Sequence, residues 1–178
     1  MRIGERIKRW RGRRGYGIHS PLAFRIVKNV VRPQRGTVYY GEEELLHADA
    51  PMRQIKESRL LLRFVAQLQP ATVWVSSGTP EIYKEAVRRA GCVIRMFDGN
   101  IYPSEHSDAD MTVLFKTRLK KKELHTVLRP GHSLIGFHLT QAFKITVRDA
   151  MKGGVVIDGV GFYIAVSTDD ASLHAYEV

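Results

Sequence analysis

Hydrophobic and polar positions along this chain switch between two periods, and the switches mark its elements. Residues 72–75, Thr-Val-Trp-Val, are β-branched and aromatic without a polar break, as a strand covered on both faces requires. The small residues Ser76, Ser77 and Gly78 follow. Thr79 then suits an N-cap, Pro80 the first helical position and Glu81 the first turn, where the helix dipole favours negative charge. The pattern predicts a helix over 81–90 closed by Gly91, a strand over 92–97 and a further strand over 110–115. It then predicts a helix over 119–128 with Leu119, Leu124, Val127 and Leu128 inward, a strand over 133–139 and a helix over 141–151. Residues 155–157 and 162–166 read as two strands joined by a glycine turn, and 173–178 as an edge segment.

Upstream, Ser20 and Pro21 open a helix as N-cap and N1, with Leu22, Ile26, Val27, Val30 and Val31 on one face. Pro33 and Gly36 end it. A second helix runs from Pro51 to Leu68 with Ile55, Leu62 and Val65 on its buried side. Arg53, Lys56, Arg59 and Arg63 recur along another face of it as a basic stripe, either solvated or extending a binding surface. The order of elements predicts an α/β fold: a mostly parallel sheet, helices on both faces and a C-terminal β-hairpin. Residues 1–36 form a basic arm and helix, and residues 37–178 a single domain.

Charge adds a second feature. The net charge is +10, and residues 1–36 carry all of it, with eleven Lys or Arg against the single acid Glu5. The densest part surrounds Trp10, with Arg9, Arg11, Arg13 and Arg14 beside it and Tyr16 just beyond. Basic residues interleaved with aromatics can neutralise phosphates and stack on bases, the footprint of RNA or of an acidic protein surface. A solvated terminus, or pairing with acids of the same fold such as Glu42, Glu43 and Glu44, accounts for the same charges.

Other classes recede. No apolar run approaches the roughly 20 residues of a membrane span, and no secretory h-region follows the basic start, so a cytoplasmic protein is expected. One cysteine, Cys92, excludes an internal disulfide framework and a cysteine-based zinc site. His47 with Asp49, and His132 with His138, are metal pairs by composition only, and no metal is assigned. His19 before the first helix reads as a turn-fixing histidine or a base. Nothing in the residues supports hydrolytic catalysis.

The chemistry that remains sits at the first strand–turn–helix, where α/β proteins hold cofactors at the carboxyl end of the strand. Ser76, Ser77 and Gly78 form that turn. Asp98, at the end of the second strand and about 20 residues on, is placed to accept hydrogen bonds from ribose hydroxyls. The Asp-Gly pair it belongs to equally suits a turn.

Several segments carry a resemblance: 14–21, Arg-Gly-Tyr-Gly-Ile-His-Ser-Pro; the pair Tyr39-Tyr40; and 59–64 leading into 70–73. Together with the tail 155–158 and 161–166, they resemble small bacterial class I S-adenosylmethionine-dependent methyltransferase-like proteins that begin with a helical "HSP" segment. The likeness covers nearly the whole chain. It implies a Rossmann-like methyltransferase sheet, parallel except for one strand of the final hairpin, with S-adenosylmethionine at Ser76, Ser77, Gly78 and Asp98.

The departures from that family bear on function. Its first strand ends in an acid followed by a glycine-rich turn, whereas Val75 or Ser76 takes the acid's place here and Gly78 is the one glycine left. Pro80 removes an N–H from the helix start. The third strand and its helix are expected to be missing between Tyr102 and Asp110. The acid of the later strand survives only at its start, as Asp110, and Lys116-Thr117 stands where a methyl-transfer motif would follow. Two readings result: a divergent relative with reduced or lost cofactor binding that acts as a binding or scaffolding protein, or an active methyltransferase on an unknown substrate, nucleic acid among the candidates.

Overall fold

The computed structural model describes residues 20–34, 39–97, 110–169 and 172–178. Helix α1 (Pro21–Ile26) starts where the sequence predicts: the Ser20 hydroxyl accepts the Ala23 N–H over 3.3 Å. It runs into a π-helical turn over Val27–Val31 instead of continuing as a regular helix. Helix α2 (Glu42–Leu46) and the long α3 (Met52–Leu68) precede strand β1 (Thr72–Ser76). Then come α4 (Glu81–Arg89), β2 (Val93–Phe97), β3 (Met111–Phe115) and α5 (Lys121–Val127). Strand β4 (Ser133–Phe137), α6 (Gln141–Ala150), β5 (Gly154–Asp158), β6 (Phe162–Ser167) and β7 (Leu173–Glu177) complete the order.

The seven strands form one sheet in the order β2-β1-β3-β4-β6-β5-β7. Strand β6 lies between β4 and β5 and is antiparallel to both, while every other pairing is parallel. This is a Rossmann-like α/β sheet with a C-terminal hairpin, as the pattern predicts. The edge segment is β7, paired with β5. At the other side β2 is the outermost strand among the described residues, with β1 as its neighbour.

Side-chain alternation along the strands splits the core in two. Val73, Val75, Val113, Ile135, Ile157 and Ile164 face α1 to α4. Trp74, Leu114, Leu134, Val156 and Ala165 face the layer of α5 and α6. The inward residues predicted for α5, Leu119, Leu124, Val127 and Leu128, are all buried there. Helix α1 is part of the first layer: Ala23, Ile26, Val27 and Val30 are buried. The backbone N–H of Ser20 donates to the Tyr176 hydroxyl of β7 over 3.3 Å, which ties the helix start to the sheet's far edge.

Gly91 closes α4 with φ +79, as predicted. Gly154 begins β5 with φ +117, and a Cβ there would lie 2.1 Å from the Val166 carbonyl oxygen. Among the described residues, no helix is long and apolar enough to cross a membrane.

Candidate functional site

The carboxyl ends of β1, β3 and β4 lie side by side, and the residues that follow them build the candidate site. At the end of β1 the Ser76 side chain is fully buried. Its oxygen accepts the Phe115 N–H at the end of β3 over 3.1 Å and lies 2.9 Å from the Thr79 hydroxyl. Thr79 therefore does not cap α4. Pro80 occupies the N-cap position, and Thr79 is buried with its hydroxyl turned back to Ser76. The turn's backbone is engaged as well: Ser77 N–H donates to Phe97 O over 2.8 Å and Thr79 N–H to Ser76 O over 3.0 Å.

Ser77 and Gly78 are exposed. Gly78 has an ordinary φ, and a Cβ built on it would meet no heavy atom of the described residues within 4 Å. Neither backbone conformation nor packing demands glycine there, so it leaves room above the turn. Asp98 lies outside the described residues, as do Arg9, Trp10, Arg11, Arg13, Arg14, His19 and the segment where the third strand is expected to be missing.

Asp110 works at the other end of the sheet. Its carboxylate accepts the N–H groups of Ala71 and Thr72 over 2.8 and 3.1 Å, at the start of β1. An acid at the start of β3 thus satisfies two backbone donors at the strands' amino ends, opposite the turn. His132 and His138 flank β4 at its two ends and do not meet. Among the described residues, no group of three or more His, Cys, Asp or Glu could hold a metal ion.

The densest polar cluster at the carboxyl side centres on Glu57, which is 8% exposed. Tyr83 on α4 donates its hydroxyl to Glu57 Oε2 over 2.5 Å, and His138 Nε2 lies 3.1 Å from the same oxygen. Arg53, one turn earlier on α3, donates from Nε to Glu57 Oε1 over 2.9 Å and from Nη2 to His138 Nδ1 over 2.9 Å. A guanidinium can only donate, so Nδ1 holds the lone pair and Nε2 the hydrogen that goes to Glu57. The imidazole is neutral in this arrangement, and Glu57 fixes its tautomer. Burial first, and then the hydrogen bond to Glu57, push the Tyr83 hydroxyl well above its ordinary range, so Tyr83 is a fixed donor.

Phe115 packs into the same corner. Its ring is edge-on to His138 at 5.2 Å and to Tyr83 at 5.4 Å, and the Lys116 ammonium stands 5.4 Å from its centroid. Lys116 and His138, the residues after the paired Phe115 and Phe137, both adopt left-handed backbone with φ +54 and +57. Non-glycine residues in that region cost on the order of 1 kcal/mol each or more, and such residues gather where a fold aims side chains at a site.

The sequence pattern did not single out Glu57 or Tyr83. A signal was present: Glu57, Leu61 and Phe64 stand at i, i+4 and i+7 and are all buried, so a carboxylate interrupts an apolar row four residues after an arginine. The basic stripe on α3 is largely neutralised within the fold. Arg59 and Arg63 both donate to the buried Glu42, and Arg53 joins Glu57; Lys56, the stripe's remaining cation, is exposed and has no such pairing among the described residues. Glu44 lies 3.7 Å from Arg89 of α4. Glu42 and Glu44 thus find partners in α3 and α4, and Glu43 stays exposed.

No family model, curated protein or solved structure matches this chain.

Proposed function

We propose that this chain is a divergent relative of the S-adenosylmethionine-dependent methyltransferases, with reduced or lost cofactor binding, that works as a binding or scaffolding protein. The observation that carries the reading is Ser76. Where the family holds the cofactor's charged amino-acid end with a carboxylate, this chain has a fully buried hydroxyl engaged by Thr79 and by the Phe115 N–H. A neutral, internally satisfied group offers no charge to a sulfonium or ammonium. The proline after Thr79 removes a further donor from the helix start.

In this reading the basic segment with Arg9, Trp10, Arg11, Arg13 and Arg14 makes the partner contact, with RNA or an acidic protein surface on the other side. The charge distribution supports it, because residues 37–178 carry equal numbers of acids and bases and leave the whole excess to residues 1–36.

The open space above Gly78 favours a second reading, an active methyltransferase with Ser76, Ser77, Gly78 and Asp98 in the pocket. Isothermal titration of the full chain with S-adenosylmethionine and with its demethylated product separates the two. The binding-protein reading expects no micromolar association with either. Micromolar binding that Asp98→Ala weakens tenfold or more would overturn it in favour of the enzyme.

A further inference from the structure

The cluster around Glu57 has a feature that internal stability does not use. Arginine presents two hydrogen-bonding edges, one formed by Nε with the adjacent Nη2 hydrogen and an end-on edge formed by the two Nη groups. In Arg53 the first edge is filled, Nε by Glu57 Oε1 and Nη2 by His138 Nδ1, each at 2.9 Å. The end-on edge has no partner among the described residues, and the side chain is 63% exposed.

We propose that Arg53 is a receptor for an oxyanion, the carboxylate or phosphate group of a small ligand, where α3, the end of β4 and the β5–β6 turn meet. Two bonds on one edge already fix the guanidinium plane, so much of the side-chain entropy that capture of an anion would otherwise cost is lost on folding. The open edge matches two oxygens of one carboxylate or phosphate.

The surroundings suit an anion. Glu57, the carboxylate of the cluster, is ion-paired with Arg53 and takes further hydrogen bonds from Tyr83 and His138, so the pair is neutral overall and its negative member is turned inward on these donors. Lys116, beside His138 at the adjacent strand end, adds a second cation, and both residues are held there by left-handed backbone. On the β5–β6 turn it is a glycine that comes closest: at Gly161, φ +88, a Cβ would lie 3.0 Å from Glu57 Oε1 and 3.3 Å from Arg53 Nη2. This site is distinct from the turn at 76–80, since β3 separates β1 from β4 in the sheet. It does not rest on the function proposed above.

The test is a titration of the full chain with sodium phosphate, and separately with sodium acetate, at ionic strength held constant with sodium chloride. The readout is the His138 ring resonance in proton–carbon spectra, assigned by its loss in His138→Gln. A saturable shift in one or both arms is expected, and the arm that saturates at the lower concentration identifies the oxyanion. Arg53→Lys keeps the charge but not the planar pair of donors, and should weaken the affinity at least tenfold; Lys116→Gln should weaken it severalfold. A shift that does not saturate in either arm, or an Arg53→Lys protein that binds as tightly as the parent, would overturn the proposal.

Discussion

Tyr83 of α4 and Glu57 of α3 are joined by a 2.5 Å hydrogen bond in which the phenol is the donor and both groups are buried. The bond couples the helix that follows β1 to the helix that precedes it. Its removal leaves the Glu57 carboxylate with fewer donors in a place that water reaches poorly. Hydrogen bonds to charged groups contribute about 1.5–3 kcal/mol, so Tyr83→Phe should lower unfolding stability by about 2 kcal/mol in urea denaturation. A change of only a few tenths would mean that the bond does not hold the two helices. His138→Gln should cost less, because that side chain is the more exposed partner.

Glu42 gives a pH-dependent counterpart. Burial alone would raise its pKa, but hydrogen bonds and charge from Arg63, then Arg59, outweigh it and hold the carboxyl below the ordinary 4.5. A depressed carboxylate pKa means that the unfolded state takes up its proton first as pH falls. The contribution is therefore complete above the unfolded value and is lost as pH drops through the folded one. Glu42→Gln should be less stable than the parent by about 3 kcal/mol at neutral pH, since it strands two arginines. The gap should begin to narrow as pH falls below the ordinary 4.5 and go on narrowing down through the lower folded value. A gap that stays constant from pH 7 to the acid transition would refute the assignment.

Two glycines with positive φ predict very different outcomes. Gly91 has φ +79 and open space where a Cβ would stand, so Gly91→Ala carries only the left-handed backbone cost, about 1–2 kcal/mol. At Gly154, φ +117, the added Cβ would sit 2.1 Å from a backbone oxygen of β6 that cannot move without breaking the β5–β6 pairing. Gly154→Ala should cost more than about 4 kcal/mol or prevent folding. Thermal melts of the two variants side by side decide it; equal shifts would mean the hairpin accommodates the methyl.

The contrast between those glycines shows what the sequence could carry. Period-two and period-3.6 patterning placed the strands and the helices α1 and α3 to α6 within a few residues, because each depends on its own neighbours and on one buried face. The turn chemistry at Gly91 and the cap at Ser20 were equally local. Thr79 was misplaced for a tertiary reason: its hydroxyl had two candidate partners, the helix start and the Ser76 oxygen, and β3 decided between them by bringing the Phe115 N–H onto Ser76. The Glu57 cluster was illegible for the same reason. Its members come from α3, α4 and the end of β4, and only the sheet order brings positions 57, 83 and 138 together. The basic stripe misled because helical spacing states which residues share a face but not what that face meets. Glu42 meets it, from a different helix.

The basic arm makes its own prediction, in salt. If Arg9, Arg11, Arg13 and Arg14 each neutralise a phosphate of single-stranded RNA, log K should fall with log salt at a slope of about −3, from roughly 0.7 per contact. Trp10, stacking on a base, should add affinity without adding to the slope, since stacking releases no counterions. Deleting residues 1–15 should therefore abolish salt-sensitive association, while Trp10→Ala should weaken binding by about 1–3 kcal/mol at an unchanged slope. Fluorescence anisotropy with a labelled oligonucleotide at several salt concentrations measures both quantities. An unchanged slope after the deletion would remove the arm as the RNA contact, and a slope that changes with Trp10→Ala would show that the tryptophan only positions the charges.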